Sequence, residues 1–189
     1  MFLISSKGVK MVGDMTAHFS RREFTCKCGC AGNEINAELV NKLESVYDYL
    51  SKTPDGVAAV YITSGYRCPK HSVNVGGGYS DAHTRGIAAD FYAVKADGST
   101  RWNAYELAAI CEKLGFSGIG IIQDGAMSCI HADIRNNTNY VNSHWFGNEI
   151  TGDNNVKSFL QYLPAQKSTE TKHKLTVIFD GKTIFEKEC

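Results

Sequence analysis

The segment that most restricts the fold is GIGIIQDGAMSCIHADIR, residues 118–135, in which two apolar runs flank Asp124-Gly125. An Asp-Gly pair between β-prone runs is typical of an antiparallel hairpin, because these two residues readily adopt the backbone angles of a tight turn. Two earlier stretches, VAAVYIT (57–63) and IAADFYAV (87–94), have the pattern of buried strands. The sequence therefore predicts a mostly antiparallel central sheet.

Two helices are predicted to flank this sheet. From Asn36 onward apolar side chains recur at helical spacing until Pro54, and they are Leu39, Val40, Leu43, Val46, Tyr47 and Leu50. A second helical segment, NAYELAAICEKLGF, begins at Asn103, and Glu106 three positions later completes a capping-box pattern. Residues 1–35 show little periodicity and are predicted to form an irregular arm. Helices beside a mostly antiparallel sheet define the α+β class.

The length suits one domain with a small appendage. We expect the main domain over 1–163, a polar linker over 164–174, and a C-terminal β-hairpin over 175–189 that turns at Asp180-Gly181. Both faces of this hairpin carry apolar side chains, and an isolated two-stranded hairpin is only marginally stable in water. We therefore expect it to dock on the main domain or on a second copy of the chain, which would give a homodimer.

The charge balance argues against two classes of partner. Twenty basic and twenty acidic residues cancel, so no electrostatic attraction to nucleic acid or to an anionic membrane is expected. No apolar run approaches the length needed to span a membrane. Only four apolar residues precede Ser5, too few for the apolar stretch of a signal peptide, so we expect synthesis in the cytoplasm.

The chain has seven cysteines, and an odd number cannot all pair internally. Three of them crowd into CKCGC as Cys26, Cys28 and Cys30. On an extended segment alternate residues point to one side, so these three could begin a second zinc site together with Cys68. The alternatives are a disulfide or free buried thiols, and free thiols are the default in a chain without a signal peptide.

A histidine and an aspartate frame the segment HTRGIAAD, where His83 ends a glycine-rich loop and Asp90 lies in the next predicted strand. His131 lies in the second strand of the central hairpin. If the strands of Asp90 and His131 are neighbours, all three side chains can converge on one ion. Two imidazoles and one carboxylate leave a tetrahedral zinc with a fourth position open to water, as in catalytic sites. The alternative is a structural role for each residue, such as an aspartate paired with an arginine.

A set of motifs in this order resembles the zinc peptidases of the D-alanyl-D-alanine carboxypeptidase family: HFSRREFTCKCGC, SGYRCPKH, VGGG, HTRGIAAD, GIGI and IHADIR. That family includes D-alanyl-D-alanine dipeptidases and phage endolysins that cut L-alanyl-D-glutamate bonds, and hedgehog signalling domains share its fold. The resemblance covers residues 18–147. It implies a hedgehog-like metallopeptidase fold for the main domain and Zn²⁺ bound by His83, Asp90 and His131.

The resemblance also implies roles in substrate binding. The arginine of the family's SxYR segment holds a substrate carboxylate, which implies this role for Arg67, with Ser64 and Tyr66 beside the contact. A guanidinium suits the task because it grips a carboxylate through two parallel hydrogen bonds. The alternative role for Arg67 is an internal ion pair with a nearby acid.

The general base is harder to assign. Several family members carry an acid three positions before the last histidine, where this chain has Ser128, which cannot accept the proton. Asp133 is the first candidate, because two residues after His131 on a strand it points to the same face. The other acids and histidines considered are Asp124, which has a turn role of its own, and then Asp81 and His144.

The resemblance implies a zinc-dependent peptidase that cleaves the stem peptide of bacterial peptidoglycan, as an endopeptidase or a D,D-carboxypeptidase. A phage or prophage lysin that acts on the cell wall after release would account for the expected cytoplasmic synthesis. The alternative is a zinc-stabilised module that binds the cell wall or a protein without catalysis. Ser128 is the main support for that alternative.

Overall fold

The computed structural model describes residues 13–135, 144–164, 166, 174–179 and 182–188, the last two ranges by their backbone alone. Its α-helices are α1 (Ala37–Ser51), α2 (Pro69–Asn74) and α3 (Ala104–Lys113). Its strands are β1 (Ala59–Ser64), β2 (Ala88–Val94), β3 (Gly118–Gln123), β4 (Cys129–Asp133), β5 (Trp145–Asn148), β6 (Lys174–Phe179) and β7 (Lys182–Glu188). Short 3₁₀ turns cover Arg21–Phe24, Gly125–Met127 and Leu160–Tyr162.

Five strands form one sheet in the order β1-β2-β4-β3-β5. The β1–β2, β2–β4 and β3–β4 pairs are antiparallel, and only the β3–β5 pair within this sheet is parallel. The predicted hairpin is confirmed as β3–β4, although its turn is a 3₁₀ segment, Gly125–Met127, rather than a two-residue turn. The α+β prediction with a mostly antiparallel sheet is confirmed.

Both predicted helices form, and each begins at its asparagine cap. The side chain of Asn36 accepts a hydrogen bond from the Glu38 amide at 2.8 Å, and that of Asn103 accepts one from the Tyr105 amide at 2.8 Å. Such caps satisfy backbone donors that have no partner within the helix. The apolar faces of α1 and α3 join the sheet in one core, whose largest fully buried members include Phe91, Trp102, Leu107, Phe116 and Ile119.

The described part of the N-terminal arm, residues 13–35, is irregular as predicted and packs against the domain. Phe19 and Phe24 are fully buried in the core. The Tyr66 amide donates to the Phe24 carbonyl at 2.8 Å, just beyond the end of β1. A Cβ on Gly65 would lie 2.5 Å from the Phe24 Cα, so this close approach requires glycine. The arm therefore directly supports the segment that carries Arg67.

In the tail, β6 and β7 pair antiparallel, with a register shift between Val177 and Ile178. The predicted turn at Asp180-Gly181 and residues 167–173 of the predicted linker lie outside the described residues. The division into domain, linker and appendage therefore stays a prediction. None of the helices in the described part of the chain has the length and apolarity needed to cross a bilayer.

Candidate metal centre and active-site cleft

Asp90 and His131 lie directly opposite each other in the antiparallel β2–β4 pair. Side chains of directly opposed residues share one face of a sheet, so this register brings the two together. His83 reaches the same point from the loop before β2. Its Nδ1 lies 2.8 Å from the carbonyl oxygen of Gly65, and a hydrogen bond there directs Nε2 towards the two strand residues.

Three potential ligand atoms form a small triangle at this point. His131 Nδ1 lies 2.9 Å from Asp90 Oδ1 and 3.1 Å from His83 Nε2, and His83 Nε2 lies 3.2 Å from Asp90 Oδ1. In a tetrahedral zinc site with bonds of about 2.0–2.1 Å, neighbouring ligand atoms are about 3.3 Å apart. The donor types and their spacing therefore fit zinc.

The charges around the triangle stabilise an ionised carboxylate. Burial opposes ionisation of Asp90, but the hydrogen bonds and charges of His131 and His83 outweigh it and hold the pKa of Asp90 far below its usual value. Burial likewise opposes protonation of His131, yet its contacts with Asp133 and Asp90 raise its pKa to about 9.

Asp133 lies beneath His131 and holds it in place. Its Oδ2 is 3.1 Å from His131 Nε2, and the side chain is completely buried. The Arg135 guanidinium contacts both carboxylate oxygens, with Nε at 2.9 and 3.0 Å. Although burial opposes ionisation, His131 and Arg135 lower the pKa of Asp133 far below its usual value. An ionised Asp133 accepts a hydrogen bond from the protonated Nε2 of His131, which leaves the lone pair of Nδ1 free to bind a metal.

Arg67 lies beside the triangle and is oriented by Ser64. Its Nε donates to Ser64 Oγ at 2.8 Å, and its Nη2 forms an ion pair with Asp90 Oδ2. The two oxygens of Asp90 thus face different partners, with Oδ1 towards the histidines and Oδ2 towards the guanidinium. This ion pair is the alternative role anticipated for Arg67, and it is compatible with a second carboxylate at the guanidinium.

The triangle opens into a cleft of about 500 Å³. A glycine-rich rim, Gly76–Gly78, lines one part, and the other lining side chains include Arg67, Asp81, Arg135, Trp145 and Glu149. The Trp145 ring meets the His131 ring edge-on with centroids 6.0 Å apart. A Cβ on Gly120 would lie 2.8 Å from the Trp145 ring, so the glycine leaves room for the indole. The described residues therefore leave a cleft beside the candidate ligands.

A protein-family comparison bears on this site. The family model described as Peptidase M15 matches residues 17–133, a range that includes His83, Asp90, His131 and Asp133. The chain belongs to the M15 peptidase family. No curated protein is significantly similar to it in sequence.

This M15 peptidase places the other predicted site residues unevenly. Ser64 contacts Arg67, but Tyr66 is not among the residues that line the cleft. A hydrogen bond from Tyr66 to Glu34 of the arm, with burial and the charge of Glu34 adding to it, raises the pKa of Tyr66 to about 12. The substrate-binding role of Tyr66 stays a prediction that its placement does not favour. The roles of Arg67 and Asp133 also stay predictions, and the contacts of Asp133 fit a positioning role better than that of a base.

In the M15 chain, Ser128 and the remaining base candidates have structural contacts. Ser128 is fully buried and donates to the Gly125 carbonyl at 2.8 Å, while Asp124 accepts from Asn103 at 3.1 Å. Asp81 lines the cleft, but its carboxylate accepts hydrogen bonds from Ser72, Thr84 and Gly78. His144 lies at a second pocket, next to Phe146.

Sequence reasoning missed Glu149, an exposed carboxylate that lines the cleft. It directly follows β5, a short strand that the sequence analysis did not predict. Trp145 was missed for the same reason. The segment WFGN places its two aromatic residues next to each other, and four residues are too few to establish a period.

A second group of potential metal ligands in the M15 peptidase consists of four cysteines, Cys26, Cys28, Cys30 and Cys68, which we call the thiol cluster. Burial opposes ionisation of Cys26, but the backbone amides of Cys28 and Cys68 outweigh it and lower the pKa to about 6. The Cys30 amide lowers the pKa of Cys28, but the neighbouring thiols raise it to about 12. Because the sulfurs are close together, the charge of one thiolate opposes ionisation of the neighbouring thiols, and a bound cation would offset this repulsion.

Proposed function

We propose that this M15 peptidase is a zinc-dependent hydrolase of the stem peptide of bacterial peptidoglycan. The observation that carries the proposal is the triangle of His83, Asp90 and His131 at the base of an open cleft, beside the Arg67 guanidinium. An open cleft leaves space for water and substrate at the ion, as catalytic sites require. The enzyme would reach the wall after release from the cell, as a phage or prophage lysin does.

When bound by the three ligands, zinc supplies Lewis acidity and a water of lowered pKa. Asp133 fixes the ring of His131 and the identity of its protonated nitrogen. Arg67 holds a carboxylate of the stem peptide, and the hydrogen bond from its Nε to Ser64 fixes the plane of the guanidinium. Proton transfer needs a carboxylate that faces the cleft, and Glu149 lines the cleft, whereas Asp133, the candidate from the sequence, is completely buried.

The test is digestion of purified peptidoglycan by the zinc-loaded protein, with and without a chelator, followed by mass spectrometry of the released fragments. We expect fragments that disappear with the chelator and return with added zinc. Their new termini separate an endopeptidase from a D,D-carboxypeptidase. Arg67→Ala should raise KM for substrates with a free carboxylate near the scissile bond, whereas the matched exposed-arginine control, Arg22→Ala, should not.

The second candidate function is a zinc-stabilised binding module without catalysis. It is favoured by Ser128, whose hydroxyl is committed to the β3–β4 turn, and by the contacts of Asp133 with His131 and Arg135. Binding to insoluble peptidoglycan without release of fragments, in protein fully loaded with zinc and across several wall types, would favour this module over the enzyme.

The C-terminal hairpin provides the basis for a proposed homodimer. Its two strands pair with each other, and the sequence places apolar side chains on both of its faces. If the hairpin joins two copies, the full chain should be a dimer in solution and the chain without residues 165–189 a monomer. A monomeric full chain, or a truncated chain that is still a dimer, would overturn this role of the hairpin.

A further inference from the structure

The thiol cluster joins two separate parts of the chain. Cys26, Cys28 and Cys30 belong to the N-terminal arm, and Cys68 directly follows Arg67. Their four Sγ atoms all lie within 4.8 Å of one another. Cys28 Sγ is 3.4 Å from Cys26 Sγ and 3.6 Å from Cys68 Sγ. A disulfide bond is about 2.05 Å long, whereas neighbouring sulfurs of a tetrahedral zinc site with bonds of about 2.3 Å are about 3.8 Å apart. The spacing therefore matches a metal site and not a disulfide.

The backbone around these sulfurs forms a tight turn. Gly29 has a φ of +85° and Ala31 a φ of +59°, and the Cys26 amide closes the turn on the Gly32 carbonyl at 2.7 Å. A positive φ is uncommon for alanine, because its Cβ crowds the backbone there. This conformation brings the sulfurs of three cysteines within a five-residue segment together. In an extended segment the same sulfurs would lie farther apart.

Donors directed at sulfur accompany the turn. The Cys68 amide lies 3.3 Å from Cys26 Sγ, and the His71 amide lies 3.4 Å from Cys68 Sγ. The His71 ring places Nδ1 3.2 Å from Cys26 Sγ. Hydrogen bonds of this kind stabilise thiolates, which are the form that binds a metal.

The exposure of the cluster separates it from an ordinary buried thiol. Cys28 and Cys30 are exposed, whereas Cys111 is fully buried in the apolar core. Burial of apolar surface therefore does not explain why Cys28 and Cys30 lie close to the other two cysteines of the cluster. Soft thiolate ligands select zinc over magnesium, calcium or manganese.

We propose that Cys26, Cys28, Cys30 and Cys68 bind a second zinc ion in a closed, four-thiolate structural site. Binding forms four Zn–S bonds and releases the thiol protons to solvent. With four protein ligands the site has no open position, so its role is structural.

The second site would fix the segment that carries Arg67. Cys68 is bonded to Arg67 through the chain, and the Tyr66 amide already donates to Phe24 of the arm. The Tyr66 ring also lies against Gly32, where a Cβ would be 2.6 Å from the ring. A metal ion bound by Cys68 and by the cysteines of the arm would add to these contacts, so the arm and the candidate substrate-binding arginine would form one rigid unit.

The experiment measures zinc per chain by mass spectrometry of the metal, in protein purified under reducing conditions and reloaded with zinc. Wild type should hold two zinc ions, and the double variant Cys28→Ser/Cys30→Ser should hold one. His83→Ala should also hold one, which assigns the two ions to separate sites. Cys111→Ala is the matched cysteine control and should retain two.

A second readout does not need the double variant and so covers the case in which that variant fails to fold. Cobalt in place of zinc should give the intense sulfur-to-metal charge-transfer absorption of a thiolate site, and this absorption should persist in His83→Ala. Cobalt-loaded wild type without that absorption, or equal zinc in wild type and the double variant, would overturn the proposal. Failure of peptidoglycan hydrolysis would leave the zinc counts unaffected, so the two proposals fail separately.

Discussion

Asp133→Asn separates a residue that positions His131 from one that accepts a proton. The side chain is completely buried, and its Oδ2 lies 3.1 Å from His131 Nε2. Asparagine keeps the shape and one oxygen for Arg135. If its amide nitrogen takes the place of Oδ2, it donates to His131 Nε2 and forces the proton onto Nδ1, the atom directed at the other ligands. A histidine in that tautomer cannot bind a metal through Nδ1.

The expected loss can be bounded from these contacts. Removing a hydrogen-bond partner of a metal-bound histidine weakens metal binding by about 10–100-fold, or about 1.4–2.7 kcal/mol. Because the substitution also reverses the direction of the hydrogen bond, we expect a loss in the upper part of that range. Zinc affinity measured by competition with a chromophoric chelator gives the value directly. Asp124→Asn, an aspartate outside the cleft lining, is the control and should bind zinc as wild type does.

Two results would refute the positioning role of Asp133. If zinc affinity stays within about twofold of wild type while hydrolysis is lost, Asp133 is the general base that the sequence analysis favoured. If zinc affinity and hydrolysis are both unchanged, the hydrogen bond to His131 contributes nothing measurable. Loss of affinity together with recovery of hydrolysis at saturating zinc would support positioning.

Three further predictions concern other contacts. Glu149→Gln should lower kcat for peptidoglycan fragments by about 10²–10⁴-fold with unchanged zinc affinity if Glu149 accepts the proton; an unchanged kcat excludes it. Gly118→Ala should lower the free energy of unfolding in urea by about 1–3 kcal/mol and weaken zinc binding, because the new Cβ would lie 2.1 Å from Asp133 Oδ2. Gly78→Ala is the control, because the nearest atom to its Cβ would be 3.7 Å away. Burial opposes ionisation of Glu44, but hydrogen bonds from Thr16 and His18 lower its pKa. Its contribution to stability is therefore present above its unfolded pKa and lost as pH falls through the folded pKa. The difference in Tm between wild type and Glu44→Gln should shrink across that pH range, and a constant difference would contradict this prediction.

The sheet was predictable from strand alternation, whereas the ligand triangle was predicted on the condition that the strands of Asp90 and His131 are neighbours and from the family resemblance. The Asp-Gly hairpin fixed the direction of β4, and the pairing of β2 with β4 placed Asp90 opposite His131. Asn36 and Asn103 marked the starts of the two long helices through their capping chemistry. The hairpin turn and the helix caps are local signals, whereas the β2–β4 pairing joins residues 88–91 to residues 130–133.

The rest depended on contacts that local patterns do not encode. The short elements α2 and β5 have too few residues for a period, so Glu149 was overlooked. The Tyr66 side chain contacts Gly32 and Glu34 of the arm, which are distant from it in sequence. The sequence analysis considered CKCGC only as an extended segment, whereas Gly29 within it and Ala31 directly after it adopt left-handed angles that bend the chain. Gly29 was the sequence signal for this bend.

The opposed pair Gly118 and Asp133 has a consequence for how such a site can change over evolutionary time. The space above the glycine is filled by the carboxylate, so a side chain at position 118 is unfavourable while an aspartate occupies position 133. A lineage that loses the acid removes this cost, and one that regains the acid is more stable with glycine at 118. Substitutions at the two positions should therefore accompany each other among homologues.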